Sequence, residues 1–279
     1  MEITVTNQPL FYTFVFIFGL IFGSFLNVCI YRLPKEESIA FPPSHCTSCG
    51  SFLKYYHNIP VFSYIFLGGK CHSCGSRISI LYPFVELLTA VLLTLLFYKY
   101  GITVMTFIYM ILILSLIVIT FIDLEHMIIP NIITFPGILI GFAYNLIITD
   151  WGLFLRVLKH LDLNNIFYII PRIPALNSFF GILIGGGSLL LIAYLYKLIR
   201  KNEGMGMGDV KLLAMLGAFL GINGVFFIIL ISSLAGSVVG ITMILINKGN
   251  LKVALPYGPF ISLGAILFIF TGGFIILSL

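Results

Sequence analysis

Of the ten carboxylates in this 279-residue chain, five lie within or against long apolar runs: Glu86, Asp123, Glu125, Glu203 and Asp209. Glu2, Glu36, Glu37, Asp150 and Asp162 fall in tails or polar loops and read as solvated charges. Ionisable groups at membrane depth are costly, so each of the first five is a functional candidate. Asp123 closes an apolar run in "VITFIDLEHMIIPN", and Asp209 opens another directly behind "GMGMG", 86 residues later. Two carboxylates sharing a poorly solvated site cannot both ionise cheaply, so such a pair holds a single proton. The ionised member can then take a proton from water while the protonated member polarises a carbonyl, which is aspartic-protease chemistry. Gly206 and Gly208 would let an extended peptide lie against the backbone there. The same residues fit two other readings. One is a proton or ion pathway through paired acids; the other is plain helix capping, because glycine is turn chemistry and an Asp in a first turn complements the helix dipole. Spacing by itself leaves all three open.

The second chemical cluster is "HCTSCG" at 45–50 with "KCHSCG" at 70–75. Cys46 with Cys49 and Cys71 with Cys74 form two CxxC pairs separated by 21 residues, a pattern suited to four thiolates around a tetrahedral zinc ion. The glycine after each pair permits a turn that points backbone amides at sulfur. A redox dithiol is the competing reading. Four cysteines leave no open coordination position, so such a zinc would be structural and would not activate water. His45 and His72 flank the cysteines without being needed as ligands, and Cys29, inside an apolar run, reads as a small buried hydrophobe.

The elements that must position these groups are membrane helices. Hydrophobic residues make up 60% of the chain, charged residues 9%, and the mean hydropathy is +1.13, which excludes a soluble globule. A hydrocarbon core about 30 Å thick needs roughly 20 apolar residues per helix. Eight stretches qualify as candidates, near 10–32, 80–98, 102–122, 128–149, 177–198, 210–222, 224–246 and 257–278, the sixth of them short. The first ends in Arg32 and Lys35, where a cleaved signal peptide would carry its charges in front, so it reads as a retained helix. The fold expected is an all-α polytopic membrane protein of about eight transmembrane helices. Its expected parts are a first helix (1–33), a four-cysteine zinc-binding loop (34–79) and a transmembrane catalytic domain (80–279).

Lys and Arg set the expected orientation, because positively charged loops tend to remain cytoplasmic. Most of the fifteen basic residues, including Arg32, Lys35, Lys54, Lys70, Arg77, Arg200 and Lys211, fall in one set of loops. The opposite set holds Lys99, Arg156, Lys159 and Arg172. The N-terminus should therefore face outward, and the cysteine loop, Asp123 and Asp209 should lie on the cytoplasmic side. The net charge of +5 then expresses topology, and no nucleic-acid patch is visible in it.

Seven segments together resemble one known family. "GSFLNVCIYRLP" (23–34), the two CxxC knuckles, "NIPVFSY" (58–64), "YPFVE" (82–86), "FIDLEHMIIPN" (121–131), "GMGMGDVKLLAMLGAFLG" (204–221) and "LPYGPF" (255–260) occur in the order found in type IV prepilin peptidases, membrane aspartic proteases of the GxGD class. The resemblance spans about residues 20–265. It implies that Asp123 and Asp209 are the catalytic aspartates and that the substrate is a type IV prepilin or pseudopilin. Such a precursor is cut after a glycine that ends its short basic leader, at the cytoplasmic face of the bacterial inner membrane. It also implies a second activity, methylation of the newly exposed amino group with S-adenosylmethionine. No glycine-rich cofactor loop is visible, so that activity and its unlocated binding residues rest on the resemblance alone.

Where this chain has Asn131, relatives of the family commonly carry Asp; the position lies outside the pair, so proteolysis is expected to survive. The outward segment 150–176 looks long and amphipathic, with Trp151 an interface anchor and His160 a solvated residue. Glu86, in the family's "YPFVE", reads as a substrate- or leader-binding acid or equally as a buried acid bonded to a neighbouring helix. Glu125 and His126 either tune Asp123 or are solvated loop residues. Asn27 is placed to bond across helices, and "GGG" at 185–187 and "SSLAG" at 232–236 read as helix contacts. Two functions of other classes would use the same features: a proton-coupled transporter relying on the acids, and a membrane assembly factor docking through the cysteine loop.

Overall fold

The computed structural model describes residues 9–152, 154, 170–201, 206–246 and 255–272. Most of the segment proposed as an outer amphipathic element, with His160 and Asp162, lies outside the described residues, as does Glu203. Eight α-helices are described: α1 (Pro9–Arg32), α2 (Phe62–Phe66), α3 (Leu81–Tyr100), α4 (Val104–His126), α5 (Asn131–Ile147), α6 (Pro174–Arg200), α7 (Met207–Ile246) and α8 (Gly258–Thr271). Among the described residues there is no strand, only two isolated bridges, His45 to Phe52 and Lys70 to Arg77. The chain divides into two compact units, Met1–Ile122 and Asp123–Leu279.

Among the described residues, five helical segments are long and apolar enough to cross a membrane: Pro9–Lys35, Leu81–Tyr100, Val104–His126, Pro174–Ile199 and Met207–Ile246. The apolar helices α5 and α8 are shorter. The outer faces agree with a lipid solvent. On α1, Phe14, Ile21 and Phe25 are exposed, and on α6 so are Leu191, Ile192, Leu198 and Ile199. Water would reject such continuous apolar surface, whereas hydrocarbon solvates it without cost.

In the first unit, α1 and α3 touch backbone to backbone. A Cβ on Gly23 would sit 2.5 Å from the Glu86 Cα, so only glycine permits this approach. The Asn27 amide crosses from α1 to α3 and donates to the Tyr82 carbonyl at 3.0 Å, as expected of a polar group between helices. Cys29 is buried on α1, as its apolar surroundings predict. The loop between these helices contains two short 3-10 turns (Leu33–Lys35 and Tyr55–Asn58), the brief α2 and the cysteine knuckles.

In the second unit, α6 packs on α7 through small residues. Gly181 and Gly217 face each other so closely that a Cβ on either would collide with the other's carbonyl. The expected contact role of "GGG" holds for Gly185 and Gly186, which lie against Leu213 and Ala214, while Gly187 faces open space. The sixth and seventh apolar stretches, expected as separate helices, are two helices that meet at a kink at Gly221 within the 40-residue run α7. A straight helix of that length would extend about 60 Å, twice a hydrocarbon core. At Gly221 the backbone turns to φ 68° and ψ −167°, a conformation that a side chain would oppose.

A break at membrane depth frees an amide and a carbonyl that no water can satisfy. Side chains replace the missing bond. The Ile222 amide donates to Asn177 Oδ1 at 2.9 Å, and the Ala218 carbonyl accepts from Asn145 Nδ2 at 2.9 Å and Ser178 Oγ at 2.7 Å. These partners come from α5 and α6, so the break is held by three helices at once.

Candidate active site

Asp123 occupies the last turn of α4 and is 5% exposed. Asp209 lies in the first turn of α7, two residues after its start at Met207, and its amide meets the Gly206 carbonyl at 3.3 Å. The fold brings these two acids together in the second unit, close enough for the charge of Asp123 to act on Asp209. Glu125, beside Asp123 in sequence, is exposed, as is His126, in keeping with the solvated reading.

A third element completes the surroundings. The Gly258 amide, at the start of α8, donates to Asp123 Oδ2 at 2.9 Å. A Cβ on Gly258 would stand 2.7 Å from that oxygen, so the close approach requires glycine. The preceding residue anchors this turn, because the Tyr257 hydroxyl and Ser232 Oγ of α7 lie 2.7 Å apart. Ser232 belongs to "SSLAG", so that stretch helps seat α8 beside Asp123. Sequence reading assigned no role to Gly258 or Tyr257. Their signal was "LPYGPF", where Tyr-Gly-Pro opens an apolar helix with proline in its first turn.

The two glycines of the Asp209 motif do different jobs. A Cβ on Gly208 would come within 2.9 Å of the Ile129 Cβ, and Ile129 also lies 3.4 Å from the corresponding position at Gly258. Ile129 therefore fills the space between the Asp209 turn and the Gly258 turn that touches Asp123, and Gly208 is needed to let it in. Gly206 is exposed, and among the described residues a Cβ there would meet nothing nearer than 3.9 Å. Lys211, two residues beyond Asp209, donates to Asn131 Oδ1 at 2.9 Å and sits 5.3 Å from the centre of the Phe135 ring. The amide at 131 thus keeps a partner without adding a third acid.

Glu86 is in the other unit. It is 7% exposed, accepts from the Val61 amide at 2.7 Å and has the Ser24 hydroxyl against it. Val61 has a left-handed φ of 61°, strained for a β-branched residue. Glu86 therefore pins a strained loop residue to the junction of α1 and α3.

The four cysteines converge. The sulfurs of Cys46, Cys49, Cys71 and Cys74 all lie within 4.8 Å of one another, with Cys46 and Cys74 3.9 Å apart. A tetrahedron with metal–sulfur bonds of about 2.3 Å has edges of about 3.8 Å, so the set fits a closed four-thiolate metal site. The two knuckles are built alike. The Cys46 amide donates to the Ser51 carbonyl at 2.9 Å and the Gly50 amide to the Cys46 carbonyl at 2.8 Å; Cys71, Ser76 and Gly75 repeat this at 2.8 and 2.9 Å. Gly50 and Gly75 supply the required positive φ of 69° and 71°. Backbone amides of Cys49 and Ser48 bring the Cys46 thiol down to about 6, which makes it a thiolate at neutral pH. All five cysteines are free, and neither His45 nor His72 joins the cluster.

Comparison with known proteins agrees with this division of labour. Residues 17–100 match the bacterial peptidase A24 N-terminal domain, and residues 110–241 match the type IV leader peptidase family. A prepilin leader peptidase/N-methyltransferase of Pseudomonas putida is 31% identical over 275 residues, covering 91% of this chain and 88% of its own. The protein of that name from Pseudomonas aeruginosa is 32% identical, covering 93% and 90%, and that from Neisseria gonorrhoeae 37% identical, covering 81% and 80%. No solved structure matches the chain. With both domain families matched in order and relatives above 30% identity along nearly its whole length, the chain belongs to the type IV leader peptidase family.

Proposed function

We propose that this protein, an integral protein of the inner membrane, removes the basic leader from a type IV prepilin or pseudopilin and then methylates the new N-terminus. Asp123 and Asp209 are the catalytic pair. The observation that carries this reading is the meeting of two carboxyls from helix ends 86 residues apart, with the Gly258 amide on one and the exposed Gly206 beside the other. In this mechanism one carboxylate takes a proton from water, whose oxygen attacks the scissile carbonyl carbon. The protonated partner gives its proton to the carbonyl oxygen. The tetrahedral intermediate collapses as the leaving nitrogen is protonated, which releases the leader.

The charge distribution supports an orientation with the N-terminus outside and both aspartates and the cysteine loop at the cytoplasmic face, in a bundle of about eight spans. The basic leader would then approach from the cytoplasm while its apolar helix remains in the bilayer. Zinc is the metal that best suits the four-cysteine set, as a structural ion that fixes the loop. Glu86 is already engaged by two donors, which favours a fastening role over direct leader binding. S-adenosylmethionine supplies an electrophilic methyl group.

The test is mass spectrometry of a precursor pilin incubated with purified protein, alongside Asp123→Asn and Asp209→Asn, each with and without S-adenosylmethionine. Loss of the leader with wild type alone, and one added methyl mass only with the cofactor, is the expected result. An uncut precursor with folded wild type, across several pilin-like substrates, overturns the reading.

A further inference from the structure

A cavity of about 650 Å³ lies in the first unit between α1 and the loop stretches 39–44 and 58–62. On α1 its lining follows one stripe, through Ile17, Ile21, Phe25 and Val28 to Arg32. Ile17 and Arg32 stand fifteen residues apart, a rise of about 22 Å. Half a bilayer with its head groups measures about 20–22 Å, so the cavity has the length of one leaflet. Ile17, Ile21 and Phe25 are exposed on the face of α1 that suits a lipid solvent, which makes the apolar end of the cavity continuous with hydrocarbon.

The loop wall is built for the same solvent. The amides of Ala40 and Phe41 both donate to Ser38 Oγ at 3.3 Å, and Pro42 and Pro43 have no amide hydrogen to place. The stretch therefore presents no unpaired donor, which an apolar occupant would penalise. The other end of the cavity is cationic. Arg32 is 4% exposed, and its two terminal nitrogens donate to the Ser38 and Pro42 carbonyls at 2.8 and 2.6 Å. Among the described residues it forms an ion pair with no carboxylate. Carbonyls satisfy hydrogen bonds without neutralising the charge, and a guanidinium with five N–H donors keeps capacity for an anion. Among the described residues no carboxylate lines the cavity, so an ammonium group would find no partner there, whereas Ser44 and Asn58 can hydrogen-bond hydroxyls.

We propose that this cavity holds one phospholipid of net negative charge, of the phosphatidylglycerol type, with its phosphate on Arg32, its hydroxylated head group beside Ser44 and Asn58, and an acyl chain along Ile21 and Phe25. A zwitterionic phospholipid would bring an ammonium group that the cavity leaves unpaired. Such a lipid differs from its neighbours in the bilayer because the loop covers it, with Pro42, Ile59 and Phe62 forming the wall opposite α1. It also fastens the cysteine loop to the first helix. The covering wall is tied to the first knuckle, where the Ser44 carbonyl accepts from the Leu53 amide at 2.8 Å.

The test is native mass spectrometry of the full chain, extracted into detergent after equilibration in bilayers of equal parts phosphatidylglycerol and phosphatidylcholine. Wild type is compared with Arg32→Gln, Arg32→Lys and Ile21→Trp, the last of which fills the cavity from an exposed position on α1. Bound metal and monodisperse elution report folding. Wild type is expected to keep one phosphatidylglycerol through detergent washes that strip phosphatidylcholine, with or without inorganic phosphate in the wash. Arg32→Gln and Ile21→Trp should each lower that occupancy by about tenfold, and Arg32→Lys, which keeps a point charge for the phosphate, should lower it less. Retention of both lipids alike, or of neither, overturns the proposal, as does wild-type occupancy in folded Ile21→Trp. Release of the lipid by inorganic phosphate overturns it in favour of a simple anion site. A photoreactive group in place of Phe25 that labels the apolar helix of an added precursor pilin, with no lipid retained, assigns the cavity to a protein partner instead.

Discussion

The cysteine knuckles and the aspartate pair are both sites of four or five residues, yet they are built in opposite ways. Each knuckle is a hexapeptide whose turn is closed by its own backbone, with glycine at the one position that needs positive φ. Two such turns need only meet for the metal set to be complete. The aspartates have no local device of this kind. Asp123 ends one helix, Asp209 begins another, and the amide that touches Asp123 comes from Gly258, 135 residues further on. Their relation depends on how α7 and α8 are seated, and α7 is itself broken at Gly221 by partners on α5 and α6. The local site should therefore be replaceable without loss of the distant one, while the distant one should be sensitive to a single methyl group at a contact between helices.

The sharpest way to break that comparison is to remove the chemistry. Asp123→Asn or Asp209→Asn should lower leader cleavage by about 10²–10⁴-fold with metal content unchanged, as checked by single-turnover cleavage and elemental analysis. Next is Gly258→Ala. Its Cβ would displace the Asp123 carboxyl, and a shift of about 1 Å should reduce the rate by about 10²-fold. Were this variant fully active, the Gly258 contact would have no part in catalysis.

A smaller contrast lies within the motif itself. Gly208→Ala must push Ile129 aside at a cost of about 1–3 kcal/mol, and kcat should fall by about tenfold. Gly206→Ala leaves the packing untouched, so its effect should appear in KM for the precursor. The opposite pattern would show that Gly206 is the structural glycine.

For the knuckles, Cys46→Ser with Cys74→Ser should abolish metal binding and expose the loop to protease, while cleavage of the leader changes by no more than about twofold. A parallel collapse of cleavage would mean that the two sites are coupled. The smallest effect is expected for Asn27→Ala, which removes one hydrogen bond between helices and should cost about 0.6 kcal/mol in unfolding measured in micelles.

How legible each part was in the sequence follows the same division. The four cysteines, their partner glycines and the free-thiol chemistry could all be read from two short strings, because the interactions that shape a knuckle span five residues. The helices were legible because bilayer thickness imposes a length on apolar runs. The division between the sixth and seventh stretches was legible too, and the structure puts the turn at Gly221; what the pattern concealed was how Asn177, Asn145 and Ser178 satisfy the backbone there, since their side chains reveal nothing until α5 and α6 are in place. Glu86 stayed between two readings for a related reason. A buried acid invites a functional reading, and its partners Val61 and Ser24 are known only from the packed loop.

The sequence by itself determined the membrane-spanning character, the candidate metal ligand set and the identity of the two aspartates as candidates. These rest on composition, on period and on spacings of a few residues, all of which survive any rearrangement of the helices. Tertiary structure alone decided that Asp123 and Asp209 share a site, that Gly258 rather than a charged group touches Asp123, and that Gly208 and Gly206 serve different ends. Those facts are distances between helices. Side-chain sizes at contacts such as Gly181 with Gly217 set them, and no local pattern in a linear chain encodes a distance of that kind.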